Sequence, residues 1–214
     1  MREREDRETE PTVGIIDAQS VKAAASVPSV SRGWDGGKKV GGRKRHIVND
    51  CLGLLLVVVV TAAHVGDRDA AVGLLQRLRR LPCDICLVWP DGSYTGGLVD
   101  WCQQKLVLTL EVVKRTDDMQ GFVVLPRRWV VERTLAWFMH SRRLARDYET
   151  LPASSEAMIL WSMVTADGAA SGTATGRRPA LNIPDASCTS HPRSARRLAF
   201  ERTPSTSAPP RPPL

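Results

Sequence analysis

The run Leu52–Ala63, LGLLLVVVVTAA, crosses twelve positions without a charge. That is well short of the roughly 20 apolar residues needed to span a bilayer. Four consecutive valines favour a strand, because branching at Cβ restricts χ1 and suits the pleat. A continuous aliphatic strand, in contrast to an alternating one, has to be covered on both faces. The rest of the chain must therefore supply two layers around a sheet.

The neighbouring segments supply them. Arg43–Asp50 alternates and runs through a turn at Cys51–Gly53 into Leu54–Thr61, which predicts a hairpin. Val13–Val21 (VGIIDAQSV) and Ile85–Trp89 are further short apolar strands, and Leu106–Val113 is strand-like. Asp67 can cap a helix in which Ala71, Leu74, Leu75 and Leu78 recur at helical spacing until Pro82 stops it. Helices are also predicted over Gly97–Lys105, Arg127–Arg146 and Ser154–Val164. The resulting class is α/β, a mixed sheet flanked by helices.

Three regions follow: a polar lead-in over 1–12, a folded unit over 13–164, and a tail over 165–214. The tail holds eight of the fourteen prolines and no hydrophobic period, so it is expected to be disordered. The net charge of +7 favours polyanionic partners. Five scattered cysteines and a start without an apolar leader point to a reducing cytoplasm, with nucleoid association and no membrane. Cys83 and Cys86 form a lone CxxC, which reads as core thiols, because a zinc site needs further ligands.

Three carboxylates stand out by position. Asp17 lies inside an aliphatic strand, where an unpartnered charge is costly. Asp91 follows a strand end in WPDGSY, where ligands of α/β sheets collect. Glu132 lies on the long helix among Arg127, Arg128 and Arg133. Taken singly, Asp91 also suits a turn and Glu132 an ion pair with its neighbours. Together, without histidine or thiolate, they suit hard cations such as magnesium or manganese, and two such ions can run phosphoryl transfer.

The motifs IIDAQSVK, WDGGKKVGGRKRHIVND, LGLLLVVVV, HVGDRDA, WPDGSYTGGLVDW and GFVVLPRRWVVERTLAWFMHSRRLARDYE occur in one colinear order over about residues 13–164. In that order they resemble bacterial insertion-sequence transposases of the DDE superfamily. The resemblance implies a ribonuclease-H-like fold, an acidic triad at Asp17, Asp91 and Glu132, and Mg2+ or Mn2+, two ions, as cofactor. It also implies endonuclease and strand-transfer chemistry on transposon ends and target DNA, a homodimer when active, and no small-molecule cofactor. Arg128 matches an arginine four residues before the glutamate. The chain departs from the wider pattern at Leu125, where a tyrosine is usual, at Met139, where a basic residue is usual, and at Ser93, where a second glycine is usual.

Two basic groups are candidate DNA contacts: Lys38, Lys39, Arg43, Lys44 and Arg45 in and after a Gly-rich loop, and Arg127, Arg128, Arg133, Arg142 and Arg143 on the long helix. Trp129 and Trp137 read as packing residues. A second reading is a remnant that binds DNA without catalysis. An N-terminally truncated, C-terminally frameshifted copy would have the short lead-in and the Pro/Arg/Ser-rich tail.

Overall fold

The structure, a computed structural model, describes residues 9–113 and 126–172, the side chains of 126–127 and 165–172 excepted. The elements are β1 (Val13–Lys22), β2 (Gly33–Asp35), β3 (Val40–Asp50), β4 (Leu55–Ala62), α1 (Asp67–Arg80), β5 (Leu87–Trp89), α2 (Gly97–Trp101), β6 (Thr109–Leu110), α3 (Pro126–His140) and α4 (Pro152–Gly172).

One six-stranded sheet holds them together, in the order β2-β3-β1-β5-β6, with β4 also on β3. β1, β3 and β4 form an antiparallel meander, whereas β5 joins β1, and β6 joins β5, in parallel. Helix α1 makes the crossover from β4 to β5, as a parallel pairing requires. This is the mixed, helix-flanked sheet expected of a ribonuclease-H-like fold.

Each face of the sheet carries its own core. On one, Val13, Ile15, Ile47, Val58, Val60 and Trp89 pack against Val130, Val131, Leu135 and Phe138 of α3 and Ile159 and Met163 of α4. On the other, Ile16, Val48, Val57 and Val88 meet Ala71, Leu74, Leu75 and Leu78 of α1, with Leu98 of α2. The register pairs Asp17 with Ile47, so Asp17 points to the α3 face.

Some expectations change. The Gly-rich loop before Arg43 contains the edge strand β2, paired with the start of β3. The strand expected over Leu106–Val113 shrinks to Thr109–Leu110, because α2 runs on as a wide π-turn, Cys102–Leu106, that closes on Val107 in the left-handed region. α3 stops at His140, after which the Ser141 and Leu144 amides close tight turns onto Phe138 and Ser141. α4 continues past Val164 to Gly172. The tail beyond Gly172 and the start of the lead-in lie outside the described residues.

Candidate active site

The pairing of β1 with β5 puts Ile15 beside Trp89, so extending the register by two residues brings Asp91 beside Asp17. Asp91 caps a single 3-10 turn, Gly92–Tyr94: its Oδ1 accepts the Ser93 amide at 2.8 Å and also the Ser93 hydroxyl. Asp17 Oδ1 accepts the Ala18 amide at 2.7 Å. Each aspartate therefore has one oxygen tied to local backbone and one left to face the site.

Those free oxygens converge on one guanidinium. Arg128 Nη2 donates to Asp17 Oδ2 at 3.0 Å, and Nη1 lies 2.9 Å from Asp91 Oδ2. Its Nε lies 3.5 Å from Glu132 Oε1, one helical turn on. The core contacts of Val130 and Val131 dock α3 and hold the turn carrying Arg128 and Glu132 against the strand ends.

The electrostatics differ between the two aspartates. Burial pushes Asp17 up to about 6, although Arg128 and the Ala18 amide pull against it and Asp91 adds to the rise. Burial also opposes ionisation of Asp91, but Ser93 and Arg128 outweigh it and hold its carboxyl below the usual range. Burial works against the Arg128 cation as well, and the surrounding acids overcome this to hold its pKa above the ordinary value. With all three acids ionised, three negative charges face one positive charge. The surplus of two matches a doubly charged cation.

The donor set is hard oxygen and suits Mg2+ or Mn2+ better than softer metals. Among the described residues no three of His, Cys, Asp or Glu close up as a ready metal cage. The guanidinium lies where the three carboxylates meet. Chemistry and charge thus fit a divalent ion, with Arg128 as the group that must give way.

The candidate basic residues separate. Lys38 and Lys39 are exposed at the β2–β3 turn, and Lys38 Nζ donates to the Ala18 carbonyl at 2.9 Å, next to Asp17. Arg43, Lys44 and Arg45, expected on the DNA side, are instead buried in β3. Arg43 staples two loops by donating to the Ser31, Glu149 and Thr150 carbonyls, and it pairs with buried Asp147. Lys44 is held by the Val65 carbonyl, Asp35 and Asp67. Burial pushes the Arg45 guanidinium down to about 10. None of the three can reach a phosphate.

Arg133 is sandwiched between Trp129 and Trp137, 4.6 and 4.9 Å from their ring centres, and its Nη2 donates to the Leu52 carbonyl. It holds α3 to the β3–β4 turn. Arg142 and Arg143 are exposed, with Arg143 3.0 Å from Glu149. The Arg127 side chain lies outside the described residues. Two features of the site were not foreseen. Ser93 fixes the Asp91 rotamer, a role that the Asx-type spacing Asp91-Gly92-Ser93 could have signalled. Tyr94 lies buried in the field of Asp17, Asp67 and Asp91, which together with burial keeps its hydroxyl neutral.

Sheet order, an acid within β1, a second just past the end of β5 and a glutamate on a late helix define a ribonuclease-H-like α/β domain. Residues 8–166 match the family of transposase DDE domains, and the chain belongs to that family. Among curated proteins it is 31% identical over 115 residues to a Burkholderia cepacia protein described as a candidate transposase for insertion sequence element IS402. The match takes in 50% of this chain and 54% of that relative, so the chain spans about half the relative's length. Among the described residues no helix is long and apolar enough to cross a membrane.

Proposed function

We propose that this chain carries the DNA cleavage and strand-transfer chemistry of an insertion sequence, with Asp17, Asp91 and Glu132 as its catalytic acids. The observation that carries this reading is the single guanidinium bound by three carboxylates from β1, the β5 end and α3. Side chains drawn from three separate elements meet at one charge-sized point, as a cation site requires.

Asp17 and Asp91 would hold Mg2+ or Mn2+ through the oxygens that now face Arg128, and Glu132, half exposed, would complete the shell. A bound pair of such ions supplies activation of the attacking oxygen and stabilisation of the leaving oxygen at phosphorus. The chain's own residues position the DNA. Arg128, once free of the acids, is placed to take a phosphate, since a guanidinium fits phosphate as well as carboxylate. Lys38 and Lys39 add charge beside Asp17 without reading sequence. Transposon ends, target DNA and a homodimer are the partners this chemistry needs.

The test is metal-dependent cleavage and strand transfer on DNA carrying the element's terminal repeats, compared among wild type, Asp17→Asn, Asp91→Asn and Glu132→Gln. Each variant is expected to lose both reactions while still binding DNA. Undiminished cleavage by Asp17→Asn would sink the assignment. Arg128 also favours a second reading, because acids occupied from within by an arginine are what a protein that binds DNA without catalysis could keep. In that case wild type would retain DNA but show no nicking with Mg2+ or Mn2+.

A further inference from the structure

The hairpin made by β2 and the start of β3 stands outside the acidic constellation and is nevertheless fixed to it. Asp35 turns inward: Oδ2 accepts from the Ser20 hydroxyl at 2.6 Å and lies 3.6 Å from Lys44 Nζ. Its Oδ1 accepts the Gly37 and Lys38 amides at 3.1 and 3.0 Å and so shapes the tip. Lys38 then ties that tip to the Ala18 carbonyl, beside Asp17. The hairpin is held in place by these bonds.

Strand alternation sends Trp34 to the side opposite Asp35. Trp34 is 60% exposed, and its indole rests over Gly41, where an added Cβ would stand 3.5 Å from the ring. Internal packing leaves this large apolar surface in water. At the tip, Gly36 and Gly37 are not in the left-handed region, a Cβ on Gly36 would meet nothing, and one on Gly37 would meet only Asp35 at 3.5 Å. Neither backbone conformation nor packing asks for glycine there. The bare backbone leaves room for an approach from outside. Lys38 and Lys39 are exposed at the tip and Arg32 at the open end of the hairpin, and Arg32 and Lys39 carry no ion pair among the described residues.

We propose that this hairpin docks an unpaired segment of DNA beside the acids, with a base stacked on Trp34 and phosphates taken by Arg32, Lys38, Lys39 and the glycine backbone. The proposal rests on the DNA reading of the site. Exposed aromatic faces interleaved with cations are the common platform for single strands, because every base offers a π-face to stack on. Paired bases in a duplex are already stacked and present only their edges. An exposed indole therefore selects unpaired over paired DNA.

The experiment measures binding of the 214-residue protein to labelled DNA by fluorescence anisotropy, using a blunt duplex and the same duplex with an unpaired extension. Trp34→Ala is expected to weaken binding to the extended DNA roughly ten-fold, as the loss of one stacked base implies, and to leave the blunt duplex unchanged. Trp34→Phe should restore most of the loss. A circular-dichroism melt verifies that the variants fold, as an exposed side chain allows. Equal affinity of Trp34→Ala and wild type for the extended DNA overturns the proposal, and so does an equal loss on both DNAs. If the wild type itself binds neither DNA, the proposed DNA function of the site fails, whereas wild-type binding that Trp34→Ala leaves intact removes only this inference.

Discussion

Asp17 carries a charge at a place where the fold disfavours one, and this has a consequence for stability. Its folded pKa, about 6, lies above the value of an exposed aspartate. Such a group favours the folded state while protonated. Its contribution is full below about pH 4 and is lost as the pH rises through about 6. A rise of that size corresponds to about 3 kcal/mol, and the partial compensation by Arg128 is already contained in it. Asp17→Asn, neutral and isosteric, should therefore stabilise the metal-free protein at pH 7.5 by about 1–3 kcal/mol in urea unfolding, and the gain should fade towards pH 4. Equal stability at both pH values would contradict the buried, strained carboxylate. By the same linkage, Mn2+ affinity should rise through pH 6 and level off above it, since the ion needs the ionised form.

Arg128 makes the complementary case. With its guanidinium at 3.0, 2.9 and 3.5 Å from the three acids, it competes with any metal for the same oxygens. Arg128→Gln should tighten Mn2+ binding, read by calorimetry or electron paramagnetic resonance, by about ten-fold or more, while lowering the stability of the metal-free protein. Weaker Mn2+ binding in that variant would show that the arginine supports the metal site and does not block it. The three candidate acids could be picked out in the sequence, Asp17 inside an aliphatic strand, Asp91 at a strand end and Glu132 among arginines on a long helix. Their union through Arg128 was not legible. It depends on how α3 lies across β1, a distance of 111 residues along the chain.

At the scale of elements, β3 shows why pattern reading fails locally. Arg43, Lys44 and Arg45 sit in a basic stretch that reads as a solvated, phosphate-tracking surface, yet all three are buried. Alternation tells which residues share a face but not that both faces are covered, and Asp147, the partner of Arg43, comes from distant sequence. Gly42, in the same strand, is where the chains press closest: an added Cβ would stand 2.0 Å from the Val21 carbonyl oxygen and 2.6 Å from the Ala23 nitrogen. Those are backbone atoms and cannot swing aside. Gly42→Ala should cost about 3 kcal/mol or more. Gly73, exposed within α1 with nothing within 4 Å of a new Cβ, makes the opposite case. Gly73→Ala should stabilise by about 0.5–1 kcal/mol, because alanine restricts the unfolded chain and suits the helix. Thermal unfolding of the two variants side by side tests whether packing, and not glycine content, sets these costs.

For the molecule as a whole, the mixed sheet and its two-layer covering were legible because long apolar runs and helical spacing are set by burial, a property of the whole fold. The short edge strand β2 was not, since three residues of Gly-Trp-Asp carry no period. The hairpin that it opens carries exposed Lys38 and Lys39, and Lys38 reaches the Ala18 carbonyl beside Asp17. With Arg43, Lys44 and Arg45 withdrawn into the interior, the cations that the proposed DNA path uses among the described residues are Arg32, Lys38, Lys39 and Arg128. About four phosphate contacts imply a slope of roughly −3.6 in log affinity against log salt on duplex DNA, or a loss of about 150-fold between 50 and 200 mM. A Lys38→Ala, Lys39→Ala double variant should flatten that slope by about 1.5–2, equally for all sequences, since phosphate contacts carry no base information. Arg43→Lys, by contrast, should lower stability and leave the slope unchanged, because its charge never meets the DNA. If Arg43→Lys changed the slope and the lysine pair did not, the DNA path would have to run along β3, against the burial of its basic side chains.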